Sequence, residues 1–251
     1  MKTLWKNTLI RSALALGLAS TQAFAVAAPI FWTDWTGGDL DPASPGFQAQ
    51  GTITTTTSSV TVTYTNRNGV GFYQSTVGTD YYTGGDASTS PFTSALVDNR
   101  PTGSDIIALQ FAGSQTLRFS QAIANPVFAY VSLNGNGYAF DQDFDILSFG
   151  DASNGNACGY WGCGTSYKEI VDVGGVMEYR LLGTGEPHGT LRFTGTFDTV
   201  SWRSLSNEYW NGFTVGVQGT AAEVFDVPEP GSIALLGLAL VGMAAARRRK
   251  V

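Results

Sequence analysis

The sequence predicts an all-β fold, a two-sheet antiparallel sandwich of jelly-roll-like type. Three observations carry that prediction. Apolar and polar residues alternate in short runs through the body of the chain. Clusters of Gly, Asn and Asp separate the runs, as turns between strands require. No segment of helical period longer than two turns interrupts residues 26–226, so the crossover helices of a parallel sheet are missing.

The runs follow in chain order. The Thr-rich tract 51–59 reads as a sheet edge, because Thr suits strands and the tract leads into an alternating run. That run, 58–65, puts Val60, Val62 and Tyr64 on one face and Thr61, Thr63 and Thr65 on the other. Residues 75–104 read as a long irregular excursion. Strands are then predicted at 105–112, 115–120, 126–134, 144–150, 167–173, 176–182, 188–195, 197–204 and 212–219. Gly113-Ser114 and Gly174-Gly175 are tight-turn signals, and 183–189 reads as a hairpin connection around the single histidine, His188. His188 itself is expected at a strand edge with one hydrogen bond. An immunoglobulin-like sandwich is the second architecture, disfavoured because Cys158 and Cys163 lie too close in sequence to bridge two sheets.

The net charge of -6 hides an asymmetry. Both ends are purely basic, while residues 26–230 hold all 20 acids. So acidic a body repels phosphate backbones and excludes nucleic-acid binding. One His and two Cys exclude His-pair zinc motifs and Cys-rich metal clusters.

The ends themselves are addresses. Lys2, Lys6 and Arg11 precede an apolar run and the small-residue site Ala23-Phe24-Ala25, which together form a secretory signal peptide over 1–25. At the other end stand Val227-Pro228-Glu229-Pro230, an uncharged stretch over 231–246, and Arg247-Arg248-Arg249-Lys250. A helix over that stretch would reach about 24 Å at ~1.5 Å per residue, short of the ~30 Å hydrocarbon core, yet able to insert by thinning the bilayer. The basic tail would stay cytoplasmic and leave the body outside. This three-part arrangement resembles the PEP-CTERM sorting signal. The resemblance implies processing by an exosortase near Pro228, Glu229 and Pro230, with Arg247, Arg248 and Arg249 as the tail of the signal. It also implies transient inner-membrane insertion through a short C-terminal hydrophobic helix, a Gram-negative exporter, and residence at the cell surface or in an exopolysaccharide matrix. The organisation is therefore a signal peptide at 1–25, one β-sandwich domain at 26–226 and a sorting signal at 227–251.

Export delivers the chain to an oxidising compartment, where Cys158 and Cys163 are expected to form a local disulfide. The four residues between them include two glycines, which permits the close approach. The spacing is not the C-x-x-C of redox proteins. The closed loop would present Tyr160 and Trp161 on a stiff tip. Asp141, Asp143 and Asp145 alternate, and in a strand would share one face. Two readings stand for them: a solvated acidic loop, or a calcium site completed by oxygens of the nearby Asn134 and Asn136 turn.

Tyr160, Trp161, Tyr209 and Trp210 stand beside Asn, Glu and Gly in predicted loops. A flat ring stacks on the apolar face of a sugar while neighbouring polar groups bond its hydroxyls, so these four are the candidate carbohydrate contacts. Trp202, inside an alternating strand, reads as core. No catalytic residue is predicted: there is no G-x-S-x-G, H-E-x-x-H or phosphate-loop motif. A glycosidase needs only two carboxylates, for which Glu178, Glu186 and Glu208 are candidates. The leading reading is an exported, non-catalytic surface or matrix protein with no cofactor. The alternative is a lectin-like carbohydrate-binding module, with calcium as its optional aid, and a polysaccharide hydrolase ranks third.

Overall fold

The computed structural model describes residues 27–39 and 45–225. The predicted signal peptide and the sorting signal at 227–251 lie outside them. Among the described residues sixteen strands form two antiparallel sheets. The seven-stranded sheet runs β10 (Asp145–Phe149), β13 (Gly189–Arg192), β8 (Val127–Val131), β15 (Asn211–Val217), β6 (Ile106–Leu109) and β5 (Phe72–Gln74), with β1 (Phe31–Trp32) paired to β15. The nine-stranded sheet runs β11 (Gly164–Val173), β12 (Val176–Gly185), β9 (Tyr138–Phe140), β14 (Thr196–Ser204), β7 (Gly113–Ala124), β4 (Ser59–Asn66), β3 (Phe47–Thr54) and β2 (Asp34–Gly38), with β16 (Gly219–Thr220) on β7. From β6 onward the chain changes sheet at almost every connection, which is the winding of a jelly-roll-like sandwich.

The inward faces mesh into one aromatic-rich core. Val60, Val62 and Tyr64 point into it from β4, as their alternation predicts, and Trp202 joins them from β14. Phe128 and Phe213 stack at 5.7 Å, and Trp202 meets both edge-on at 5.3 and 5.1 Å. Each such ring removed from water stabilises the fold by roughly 1.5–3 kcal/mol before the cost of ordering it.

The outer face of the seven-stranded sheet is also covered. Every residue of β8 and β15 is buried. The cover is the excursion 75–104, whose Tyr82 and Phe92 pack on Ile106, Ala129 and Val131, while Val97 and Ile30 pack on Val127. Irregular backbone can lie here because side chains satisfy its polar groups. Asn99 brackets Ile30, accepting its N–H at 2.6 Å and donating to its carbonyl at 2.9 Å. Arg100 donates to the Tyr82 carbonyl, Gln74 to the Ser104 carbonyl, and Asp80 accepts from the Tyr82 amide.

Two connections differ from expectation. Gly113-Ser114 opens β7 instead of turning a hairpin, because β6 and β7 belong to different sheets. Residues 186–188 likewise carry the chain across from β12 to β13. Gly174 and Gly175 do form the expected two-residue turn, both with positive φ (67° and 89°), between the paired Val173 and Val176.

Strand registers assign the loops to two ends. Gly219 and Thr196 both pair with Ala124, and Phe31 pairs with Val217. The β3–β4 turn, the start of β1 and the short helix α1 (Ala221–Phe225) therefore share one end. Ser204 pairs with Gly113, Gly212 with Val131, and Gly189 with Tyr130. Loops 132–137, 150–163, 186–188 and 205–210 consequently meet at the opposite end.

Candidate functional site

The Cys158–Cys163 disulfide forms, with 4.4 Å between the Cα atoms. Inside it, Gly159 and Gly162 exchange backbone hydrogen bonds at 3.0 and 3.3 Å, which leaves Tyr160 and Trp161 as the tip. Both are exposed, Tyr160 by 44% and Trp161 by 51%. Glycine is needed at the root of this loop. A Cβ on Gly159 would lie 2.3 Å from the His188 ring, and one on Gly164 would lie 2.3 Å from the Glu186 carbonyl carbon.

The tip meets rings from two other loops. Tyr81 of the covering segment contacts Tyr160 edge-on at 5.1 Å, Trp210 at 5.0 Å, and lies nearly parallel to Trp161 at 6.4 Å. Trp161 and Trp210 are 6.3 Å apart, and Phe72 supports Trp210 at 4.9 Å. Three of the four predicted carbohydrate contacts are thus gathered. Tyr209 stands apart, 88% exposed, but borders with Trp210, Phe72, Gly71 and Gln110 a shallow groove of about 330 Å³. Tyr81 and Phe72 were not foreseen. The Tyr81-Tyr82 pair was the available signal, yet no strand pattern surrounds it.

A polar network lies at the same end of the sandwich as the rings. Ser132, held at a positive φ of 54°, donates to Glu186 Oε2 at 2.6 Å, and Asn134 Nδ2 donates to Oε1. Asn211 Nδ2 donates to Glu208 Oε2 at 2.8 Å and accepts from Tyr138 at 2.5 Å. Glu208 Oε1 is buried without a hydrogen-bond partner. Burial, reinforced by the charge of Glu186, pushes the Glu208 carboxyl up to about 8, against the opposing pull of Asn211 and the Asn134 amide. Glu208 is therefore mostly neutral at pH 7 and can donate a proton to a hydrogen bond. His188 lies at the edge of β13 with one hydrogen bond, as expected, and is fully buried there; its Nδ1 pairs with the Glu186 carbonyl at 2.7 Å, and burial holds its pKa down.

The other predicted residues lie elsewhere. Asp141 and Asp143 lie in the loop before β10, and only Asp145 is in a strand, so the three do not share a strand face. Asp143 accepts from Lys168 at 2.7 Å and Asp145 faces Arg192 at 3.4 Å. Asn134 and Asn136 lie beyond the opposite end of β9, bonded to Glu186 and to Ser206. Among the described residues no group of three or more His, Cys, Asp or Glu is placed to hold a metal ion. Glu178 is distant from Glu186 and Glu208. Burial alone would raise its pKa, but ion pairs with Arg180 and Arg203 at 2.7 and 2.5 Å hold it below the ordinary carboxylate range.

Residues 226–250 match the PEP-CTERM protein-sorting motif. Pro228, Glu229, Pro230, Arg247, Arg248 and Arg249 all fall within it. The molecule is thus of the class of exported, exosortase-targeted surface proteins. In particular it is a PEP-CTERM protein whose signal is joined to a β-sandwich. No curated protein and no solved structure matches the chain.

Proposed function

We propose that the sandwich is a non-catalytic glycan-binding module, displayed on the surface of a Gram-negative cell or in its exopolysaccharide matrix. The observation that carries this reading is the convergence of Tyr81, Tyr160, Trp161 and Trp210, from three loops, into one partly exposed cluster. Aromatic faces stack on the C–H faces of sugars, and Glu208, Glu186 and Asn134 at the same end supply hydroxyl partners. Position supports it too. The cluster sits at the end opposite α1, after which the sorting motif begins, so it would point away from the membrane that holds the signal. Both oxygens of Glu186 are already engaged, which suits a fixed acceptor better than a nucleophile.

The test is affinity electrophoresis of the exported protein through the cell's own exopolysaccharide, with tryptophan fluorescence titration alongside. Retardation is expected, and Trp161→Ala or Trp210→Ala should weaken it about tenfold, the equivalent of ~1.4 kcal/mol. Chelation with EDTA is expected to leave it unchanged. Unretarded migration on every glycan would favour a matrix scaffold without a specific ligand. Release of reducing ends would establish a hydrolase.

A further inference from the structure

We infer that the β11 edge pairs with the β11 edge of a second copy of this chain. Among the described residues, β11 ends the nine-stranded sheet and pairs only with β12. Its register fixes which backbone groups are free. The two-residue turn makes Val173–Val176 a hydrogen-bonded pair, so Val171, Glu169, Tyr167 and Thr165 also bond inward to β12. Ser166, Lys168, Ile170 and Asp172 therefore point N–H and C=O outward. Two flanking bonds agree with this parity. The Glu186 amide donates inward to the Cys163 carbonyl, whereas the Gly164 amide donates outward to the Gly150 carbonyl.

The edge is also apolar, with Tyr167, Ile170 and Val173 exposed by 48%, 52% and 51%. An exposed edge of this kind is a template for another strand. The side chains select the partner. Two antiparallel copies related by a two-fold axis normal to the sheet must pair residues of the same parity. Centring the axis on Ile170 places Lys168 opposite Asp172 twice, Tyr167 opposite Val173 twice, and Ile170 opposite itself. Shifting the centre by one residue toward the N-terminus opposes Glu169 to Glu169, and by two opposes Lys168 to Lys168. Shifting it by one the other way leaves Lys168 opposite Gly174 and Asp172 opposite Ile170. Only the Ile170-centred register pairs both charges with their opposites. Lys168 already donates to Asp143 and the Phe144 carbonyl, and its third donor remains for Asp172 of the second copy. Because the paired strands run antiparallel, the aromatic ends of the two copies point in opposite directions.

Sedimentation velocity on the protein recovered after export tests the pairing. A two-chain mass is expected. Ile170→Pro removes an N–H that β12 does not use, so it should halve the mass and leave a single chain that still unfolds cooperatively. Lys168→Glu and Asp172→Lys should each be single-chain alone, through like-charge opposition, and should form a two-chain species when mixed. A single-chain mass for the unaltered protein at its highest soluble concentration would overturn the inference. So would a two-chain mass that survives Ile170→Pro, or a mixture of the charge variants that does not associate.

Discussion

The two sheets obey different rules, although both are antiparallel. In the nine-stranded sheet, β4 buries Val60, Val62 and Tyr64 and leaves Thr61, Thr63 and Thr65 half-exposed. In the seven-stranded sheet, β8 and β15 bury every residue on both faces. The difference is the irregular segment 75–104, which acts as a third layer on one sheet only. A sheet covered on both sides loses its alternation and reads as an apolar run, a pattern usually associated with helix-covered parallel sheets. Here a loop rich in Ser, Thr and Gly does the covering.

The largest expected effect breaks that cover. Phe92 has no exposed surface and packs edge-on against Tyr82 at 5.3 Å. Phe92→Ala should destabilise the domain by about 3–5 kcal/mol, as a core deletion does. Thr63→Ala, on the open face of the other sheet, should change stability by no more than about 0.5 kcal/mol. Urea unfolding of both variants measures the contrast. A loss below about 1 kcal/mol for Phe92→Ala would make 75–104 a detachable flap instead of a layer.

That layer also marks where the sequence was legible and where it was not. Strands with one open face announced themselves: β4, β7, β12 and β14 all lie where alternation put them. β15 overlaps the run predicted at 212–219 despite its double burial. Only the second half of β3 was legible, within the Thr-rich tract 51–59; its first half was not, although Ala49, Gly51 and Ile53 alternate inward, because small residues mask the period. β5 and β9 have three residues each, too few to show any period. The site was half legible. Loop composition singled out Tyr160, Trp161 and Trp210, and the cysteine spacing marked the disulfide. Tyr81 was hidden because its role depends on how an irregular segment is laid over a sheet, which no local pattern encodes. The acidic triplet lies in and beside the loop that precedes β10, as one of its two readings has it, but its partners were hidden for a related reason. Its neighbours in sequence, Asn134 and Asn136, are separated from it by the full length of β9, and its neighbours in space are Lys168 and Arg192.

A smaller effect is expected at the aromatic tip. The Cys158–Cys163 ring closes a short loop, so replacing both residues with Ser should cost roughly 2 kcal/mol or less. The tip should respond more than the fold. Glycan retardation should fall severalfold while cooperative unfolding persists, because the disulfide and the two Gly159–Gly162 backbone bonds close the loop that carries Tyr160 and Trp161. An equal loss of binding and of global stability would show that the loop is part of the core after all.

The smallest expected effects come from two glutamates at opposite ends, and they have opposite signs. Glu223 of α1 accepts from Thr55, from both the amide and hydroxyl of Thr57, and from the Thr220 amide, at 2.6–2.8 Å. Burial alone would raise its pKa, but these bonds hold it down to about 2. Its contribution is complete above the unfolded value near 4.5 and disappears as pH falls through 2. Glu208 is the reverse: raised from 4.5 to about 8, it binds a proton in the folded state that the unfolded chain has released. Its contribution is complete below 4.5 and is lost as pH rises toward 8. Melting temperature followed across this range should therefore climb between pH 2 and 4.5 and decline between 4.5 and 8 as far as these two groups determine it. Glu223→Gln should flatten the acid limb alone and Glu208→Gln the alkaline limb alone, since the residues share no partner. Both groups are partly solvated, so each change should be modest. An alkaline limb unaltered in Glu208→Gln would mean that Glu208 is ionised at neutral pH, and the aromatic end would then offer sugars two charged acceptors instead of one acceptor and one donor.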